Sequence, residues 1–189
     1  SVLTRRPKVV LLGDSITQNW YTLDEKFFDE NNFAGRGISG QTSAQLLSRF
    51  RSDVVNLHPE YVAILVGIND FAMNRGEIPA KDILDNVISM CELAKINGIK
   101  PILCSLVPCR KIGWLPQRNN IAEEVIAYNG QLKDYAVRNG IPYVDYHTPM
   151  ADIDGGLKSQ YNYDEVHVTV QAYRKMEEIF LKKLSLTHQ

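Results

Sequence analysis

The stretch Val9-Val10-Leu11-Leu12-Gly13-Asp14-Ser15 decides how the chain is read. It is an apolar run with β-branched residues at its start, closed by a glycine, an acid and a serine, which reads as a short buried strand ending in a turn. Four further runs outward from it read the same way. Asn32 to Ile38 is a short, glycine-rich second strand, and Tyr61 to Val66 is the clearest buried strand of all. Lys100 to Val107 is a fourth strand and Pro142 to Asp145 a short fifth. Between them the apolar spacing turns helical. A short helix falls within Trp20 to Asn31. Ser43 to Leu57 carries Leu46, Leu47, Phe50, Val54 and Leu57 on one face, with Thr42 or Ser43 as N-cap. A helix from about Lys81 to Asn97 places Leu84, Val87, Ile88, Cys91 and Ala94 together and stops at Gly98. Ile121 to Arg138 and Val170 to about Leu184 complete the set, separated by a long loop from Pro108 to Asn119 and an irregular stretch from His147 to Asp164. Strands alternating with helices of this length imply βαβ crossovers and a covered parallel sheet. The expectation is an α/β protein: a three-layer α/β/α sandwich around a five-stranded parallel sheet, in a single domain spanning 1–189.

Composition narrows the partners. The 21 basic and 22 acidic residues leave a net charge of -1, which gives no electrostatic reason to expect nucleic acid or an anionic membrane. No apolar run approaches the ~18 residues of a membrane span. Cys91, Cys104 and Cys109 form no Cys-x-x-Cys pair, so neither a disulfide framework nor a zinc site is expected. Cys91 and Cys104 read as small core residues, and Cys109, in a loop, as the candidate exposed thiol. No His/Asp/Glu grouping has metal-ligand spacing and no glycine-rich loop matches a nucleotide fingerprint, so no cofactor or metal is expected. The chain opens at Ser1 without an initiator methionine, which leads to the expectation of an upstream segment removed or left out, and leaves a signal peptide undecided.

In an open parallel sheet, ligands bind beyond the carboxyl ends of the strands. Taken alone, Gly13-Asp14-Ser15 is most simply a helix cap, made by Asp14 or Ser15. The other strand ends change that balance. Arg36-Gly37-Ile38-Ser39-Gly40 follows the second strand, Gly67-Ile68-Asn69-Asp70 follows the third, and Asp164-Glu165-Val166-His167 precedes the last helix. Acyl transfer needs this combination. A serine hydroxyl needs a base, histidine is the usual one, and a carboxylate must hold the histidine's tautomer. Donors must await the oxyanion, and a backbone N–H beside a glycine and an asparagine amide are suitable.

In these four blocks the chain resembles the SGNH hydrolases, also called GDSL lipases and esterases, over nearly its whole length and in the family's order. The resemblance implies a flavodoxin-like fold with Ser15 as nucleophile, His167 as its base and Asp164 orienting His167. It further implies an oxyanion hole made by the backbone N–H groups of Ser15 and Gly40 and the side-chain amide of Asn69. Asp14 then supports the turn. Two departures stand out. The family usually writes its last block Asp-Gly-x-His-Pro, where this chain has Asp164-Glu165-Val166-His167-Val168, and an asparagine common ahead of the second block's arginine is Gly35 here.

Rival residues are weaker. Ser39 lacks the spacing of a Gly-x-Ser-x-Gly elbow and reads as turn support. Ser105, inside a strand, reads as structural. His58 precedes Pro59 at a helix end, where it complements the dipole, and His188 is in the tail. His147, with Asp145 two residues earlier, is the competitor to His167, and Asp70 is the runner-up acid. Trp20, Tyr21, Phe71 and Trp114 stand evenly between a substrate pocket and the edge of the core. The expected function is a serine esterase acting on small acyl esters, acetyl above others and on carbohydrates among possible carriers, through an acyl-enzyme. The alternatives are a lysophospholipase- or thioesterase-type acylhydrolase, and a non-catalytic carbohydrate- or lipid-binding module on the same scaffold. The expected partner is thus a small-molecule ester, and an exported location is favoured over the cytoplasm.

Overall fold

Strand β1 (Val9–Gly13) is buried at every residue, and its length is set by the apolar run that ends at Gly13. A computed structural model, which describes residues 5–187, places it between β2 (Phe33–Gly37) and β3 (Tyr61–Leu65). With β4 (Lys100–Cys104) and β5 (Tyr143–Val144) they form one five-stranded parallel sheet in the order β2-β1-β3-β4-β5. The expected α/β class and five-stranded parallel sheet are therefore observed. His188, read as a tail residue, lies outside the described residues. Backbone contacts divide the chain into two compact units, Ser1–Ile102 and Leu103–Gln189.

In the first unit, β1 pairs in register with both neighbours, so Gly13 stands beside Gly37 on one side and Leu65 on the other. The three strands end level. Their order reverses at β1, the switch point at which α/β sheets open a crevice. Helix α1 (Ser15–Leu23) leaves β1 directly, and α2 (Glu25–Asn31) follows after Asp24, so the helix expected within Trp20 to Asn31 is two helices, the first beginning earlier. Helix α1 packs closely on β2 because Gly37 has no Cβ: one built there would overlap the Gln18 backbone nitrogen. Gly35, which stands where the family commonly has asparagine, lies under the Tyr21 ring, where a Cβ would sit 2.9 Å from Cδ2. Trp20, Phe27, Phe28 and Phe33 form an aromatic cluster under these elements, with ring centroids 5.6–5.8 Å apart. Each such side chain contributes ~1.5–3 kcal/mol by leaving water.

The helix expected over Ser43 to Leu57 is three segments: α3 (Ser43–Ser48), α4 (Phe50–Asp53) and a 3₁₀ turn at Val55–Leu57. Thr42 is the N-cap, in a capping box with Gln45. The apolar face is as read at Leu46, Phe50 and Val54, all buried. The interruption comes at Arg49, whose guanidinium is drawn to the strand ends: Nη2 donates to the Gly13 carbonyl at 3.0 Å and Nη1 to that of Arg36 at 3.1 Å. A four-residue helix, α5 (Ile68–Phe71), follows β3, and α6 (Ala80–Ile96) buries Ile83, Val87, Met90, Cys91 and Ala94. Its inward face is therefore turned slightly from the expected one, taking Ile83 and Met90 in place of Leu84 and Ile88.

In the second unit, α7 (Ala122–Arg138) buries Val125, Tyr128, Asn129 and Leu132. Asn129 is the polar exception. Its amide accepts from the Leu106 N–H at 2.8 Å and donates to the Leu106 carbonyl at 3.1 Å, pairing the chain beyond β4 as another strand would. The stretch expected to be irregular after β5 contains α8 (His147–Met150) and a 3₁₀ turn at Ser159–Tyr161. Helix α9 (Val170–Leu186) is capped by Thr169 and buries Ala172, Tyr173, Met176, Glu177, Phe180 and Leu184.

Candidate active site

Three of the candidate residues belong to the level strand ends of the first unit. Ser15 is the first residue of α1 and is 5% exposed. Asp14 is the N-cap, its carboxylate accepting from the Ile16 N–H at 3.0 Å. The expected cap is therefore made by Asp14, and it places Ser15 at the helix start.

Gly40 has φ +75°, a left-handed conformation that glycine adopts without strain. The preceding turn is tied by the Ser39 N–H, which donates to Gln18 Oε1 at 2.7 Å. Asn69 lies in α5 and is 4% exposed. Its Nδ2 donates to the Gln41 carbonyl at 3.0 Å. Asn74 joins the two candidates, because its Nδ2 donates to the Gly40 carbonyl at 3.1 Å and to Asn69 Oδ1 at 3.0 Å. The runner-up acid Asp70 is committed elsewhere. Its carboxylate accepts from the Ser43 N–H at 2.9 Å and hydroxyl at 2.7 Å, and Asn86 donates to that hydroxyl at 2.9 Å. Burial raises its pKa despite these bonds. Asp70 fastens α5 to α3.

The second unit holds the other pair. Asp164 Oδ2 meets His167 Nδ1 at 2.7 Å, while Oδ1 accepts the N–H groups of His167 at 2.6 Å and Val166 at 3.1 Å. Partial burial pushes the Asp164 carboxyl up, but the hydrogen bonds from His167 and Val166 together outweigh it and leave it below its ordinary value. With Nδ1 facing the carboxylate, the tautomer is set as Nδ1–H and the basic lone pair is on Nε2.

The departures from the family's last block have a local account. Glu165 sits at φ +76°, the conformation for which the family's glycine is suited. Asn162 Oδ1 accepts its N–H at 2.7 Å, and Lys111 pairs with its carboxylate at 3.4 Å. Val168 bridges to Asn162, yet the flanking bonds come from the N–H groups of Tyr163 and Thr169, so the missing N–H of a proline would cost neither of them.

Trp114, half exposed, stacks on the His167 ring with centroids 6.3 Å apart and planes 29° apart. Trp20, by contrast, is 1% exposed inside the aromatic cluster and belongs to the core; Phe71 is buried in α5. Cys109 is buried like the other two cysteines, and burial, reinforced by the charges of Glu165 and Asp164, pushes its thiol up to about 12. It is not an exposed thiol. Ser105 is structural as read, its hydroxyl oxygen accepting from the N–H groups of Tyr146 and His147. The competitor His147 has its Nε2 buried without a partner, and desolvation lowers its pKa against the opposing pull of Asp145. Asp145 itself accepts from the Thr148 N–H and hydroxyl.

Arg49 and Asn74 are missing from the motif reading. Nothing in residue type flagged Arg49, a cation on a polar helix face. Asn74 had one weak signal, an amide five residues beyond Asn69.

Residues 11–175 match the GDSL-like Lipase/Acylhydrolase family over most of the chain's length, and solved structures similar to it include members of the same class, which makes it a carboxylic ester hydrolase. The chain belongs to the GDSL-like lipase/acylhydrolase family. A GDSL-like lipase from Bacteroides thetaiotaomicron is 39% identical with a TM-score of 0.92, over 95% of this chain and 88% of its own. An acetyl xylan esterase from Geobacillus stearothermophilus shares the fold at 19% identity and a TM-score of 0.71, over 95% of this chain and 94% of its own. An uncharacterized lipoprotein of Bacillus subtilis is 26% identical over 179 residues, 78% of this chain and 74% of its own. No described helix is long and apolar enough to cross a membrane.

Proposed function

We propose that the protein is a serine esterase that removes small acyl groups, acetyl foremost, from hydroxyl-bearing carriers such as carbohydrates. Residues 1–189 act as one catalytic domain. His167 Nε2 takes the proton of Ser15 Oγ as that oxygen attacks the ester carbonyl. The N–H groups of Ser15 and Gly40 and the amide of Asn69 hold the resulting oxyanion. The imidazolium, stabilised by Asp164, returns its proton to the departing alkoxide, leaving an acyl-serine and a free alcohol. Water then attacks the acyl group, His167 takes its proton, and the acid leaves as Ser15 regains its hydrogen.

The observation that carries this reading is the Asp164–His167 pair. One carboxylate fixes the ring through Nδ1 at 2.7 Å and the loop through two backbone N–H groups, so Nε2 alone is left as base. The short-acyl preference is supported by the absence of an extended apolar segment in the sequence that would serve as a lid over long chains, and by the acetyl xylan esterase among proteins of this fold. Likeness to a lipoprotein supports a place outside the cytoplasm. The test is a p-nitrophenyl ester series of two to twelve carbons together with acetylated sugars. The reading expects kcat/KM to fall beyond about four carbons, and activity that grows with chain length would replace it with a lysophospholipase- or thioesterase-type role.

A further inference from the structure

We propose that Asn74 is a positioning residue that sets the geometry of two of the oxyanion donors, Gly40 and Asn69. This rests on the oxyanion role given to them above. Each hydrogen of the Asn74 amide has its own acceptor: the Gly40 carbonyl at 3.1 Å and Asn69 Oδ1 at 3.0 Å. Its backbone N–H adds a third bond, to the Asn69 carbonyl at 3.1 Å.

The consequence for Asn69 is specific. A primary amide has two N–H donors and one carbonyl oxygen, and nothing in its shape tells the two ends apart. A bond received at Oδ1 from Asn74 and one donated by Nδ2 to the Gln41 carbonyl at 3.0 Å fix which end is which. They leave one Asn69 N–H with a set direction for the substrate. The consequence for Gly40 acts through the next peptide: its N–H belongs to the Ser39–Gly40 peptide, and Asn74 holds the Gly40–Gln41 peptide that follows. Glycine at φ +75° has no side chain to hold its peptide planes, so the chain's own acceptors must. Asn74 holds the Gly40 carbonyl and Asn69 the next one, at Gln41. Two adjacent peptides are thus pinned by two amides that are themselves bonded to each other.

The backbone keeps Asn74 in place at some cost. Met73 adopts φ +54°, a left-handed conformation unfavourable for a residue with a side chain, and this turn carries the chain back so that Asn74 faces Asn69.

The experiment is a kinetic cycle on p-nitrophenyl acetate with Asn74→Ala, Asn69→Ala and the double variant, each checked for folding by circular dichroism and urea midpoint. Removing an oxyanion donor typically lowers kcat ~100- to 1000-fold, whereas misplacing one by about 1 Å costs ~100-fold at most. Asn74→Ala is expected to lower kcat ~10- to 100-fold with KM within about twofold. In the double variant the two losses combine to clearly less than their product, because the amide that Asn74 orients is gone. Asn74→Asp, which keeps the shape but offers no donor, is expected to lose at least as much and serves as the second variant should Asn74→Ala fold poorly.

Unchanged kcat in a folded Asn74→Asp or Asn74→Ala protein overturns the proposal, and so do losses that multiply fully in the double variant. Full activity in Asn69→Ala would instead overturn the oxyanion role itself, which separates the two failures.

Discussion

Replacing Arg49 by lysine tests how the strand ends are held. The guanidinium is largely buried, with 12% of its side-chain surface exposed. It donates from Nε to Gln41 Oε1 at 2.6 Å, from Nη1 to Asp53 Oδ2 at 2.6 Å, from Nη1 and Nη2 to the Arg36 carbonyl at 3.1 Å, and from Nη2 to the Gly13 carbonyl at 3.0 Å. An ammonium keeps the charge but gathers its donors at one point, and it cannot span four acceptors arranged around a planar fork. The Asp53 pair, with a carboxylate 26% exposed, is the contact lysine most easily keeps. At least one of the two strand carbonyls and Gln41 lose the guanidinium, the Gly13 carbonyl keeping the Ile38 N–H at 3.1 Å. Hydrogen bonds to a charged group contribute ~1.5–3 kcal/mol each, so Arg49→Lys should cost ~2–4 kcal/mol, with solvent access to the vacated acceptors keeping the loss below the simple sum. The Gly13 carbonyl lies two residues before Ser15, so kcat should also fall, about tenfold, in protein that is still folded. Urea denaturation followed by circular dichroism gives the first quantity and p-nitrophenyl acetate turnover the second. A variant within about 0.5 kcal/mol of the parent would refute the clamp, since that is the range of a surface substitution.

Two further outcomes are expected. His147 is held below its ordinary pKa of 6.5 by burial, so the unfolded chain binds its proton more readily. Its contribution to stability is therefore complete above about pH 6.5 and is lost as pH falls through the lower folded value. Urea midpoints at about pH 8 and about pH 5 should differ less in His147→Gln than in the parent, and an equal difference would contradict the assignment. At Glu165, with φ +76°, glycine should be preferred to alanine. Glu165→Gly is expected to be ~1 kcal/mol more stable than Glu165→Ala, both having lost the Lys111 pair, and the reverse order would show that the loop is not left-handed there.

The strands were legible because each carries its own signal. Val9 to Leu12 and Tyr61 to Leu65 are apolar throughout, as strands covered on both faces must be, and Gly13 marks the end of the first. The helices were legible where they run long. A four-residue helix such as α5 shows no period, so its existence could not be read, although Asn69 within it could. The single helix expected over Ser43 to Leu57 had the right apolar face, yet it breaks at Arg49, where the bonds to the Gly13 and Arg36 carbonyls lie 36 and 13 residues away in sequence. The same limit hid Asn74, whose partner at Gly40 is 34 residues away. A backbone carbonyl is present at every residue and leaves no mark in the sequence, so side chains that work by binding carbonyls escape motif reading. Side chains whose partners are themselves distinctive do not: Asp164 and His167 sit three apart and could be paired on the page. Trp20 and Trp114 show why aromatics near motifs stayed even. Residue type is the same in both, and the neighbours Phe27 and Phe28 assign Trp20 to the core, while Trp114 is left half exposed against His167.

The central claim is that Ser15 is a nucleophile activated by His167. A fluorophosphonate reacts with an activated serine and leaves a stable adduct, so intact mass followed by peptide mapping reads the claim without knowledge of the natural ester. One adduct per chain is expected, on the peptide that holds Ser15, with none in Ser15→Ala and much slower labelling in His167→Ala. A folded parent protein that takes no label, or takes it on another serine, would contradict the account.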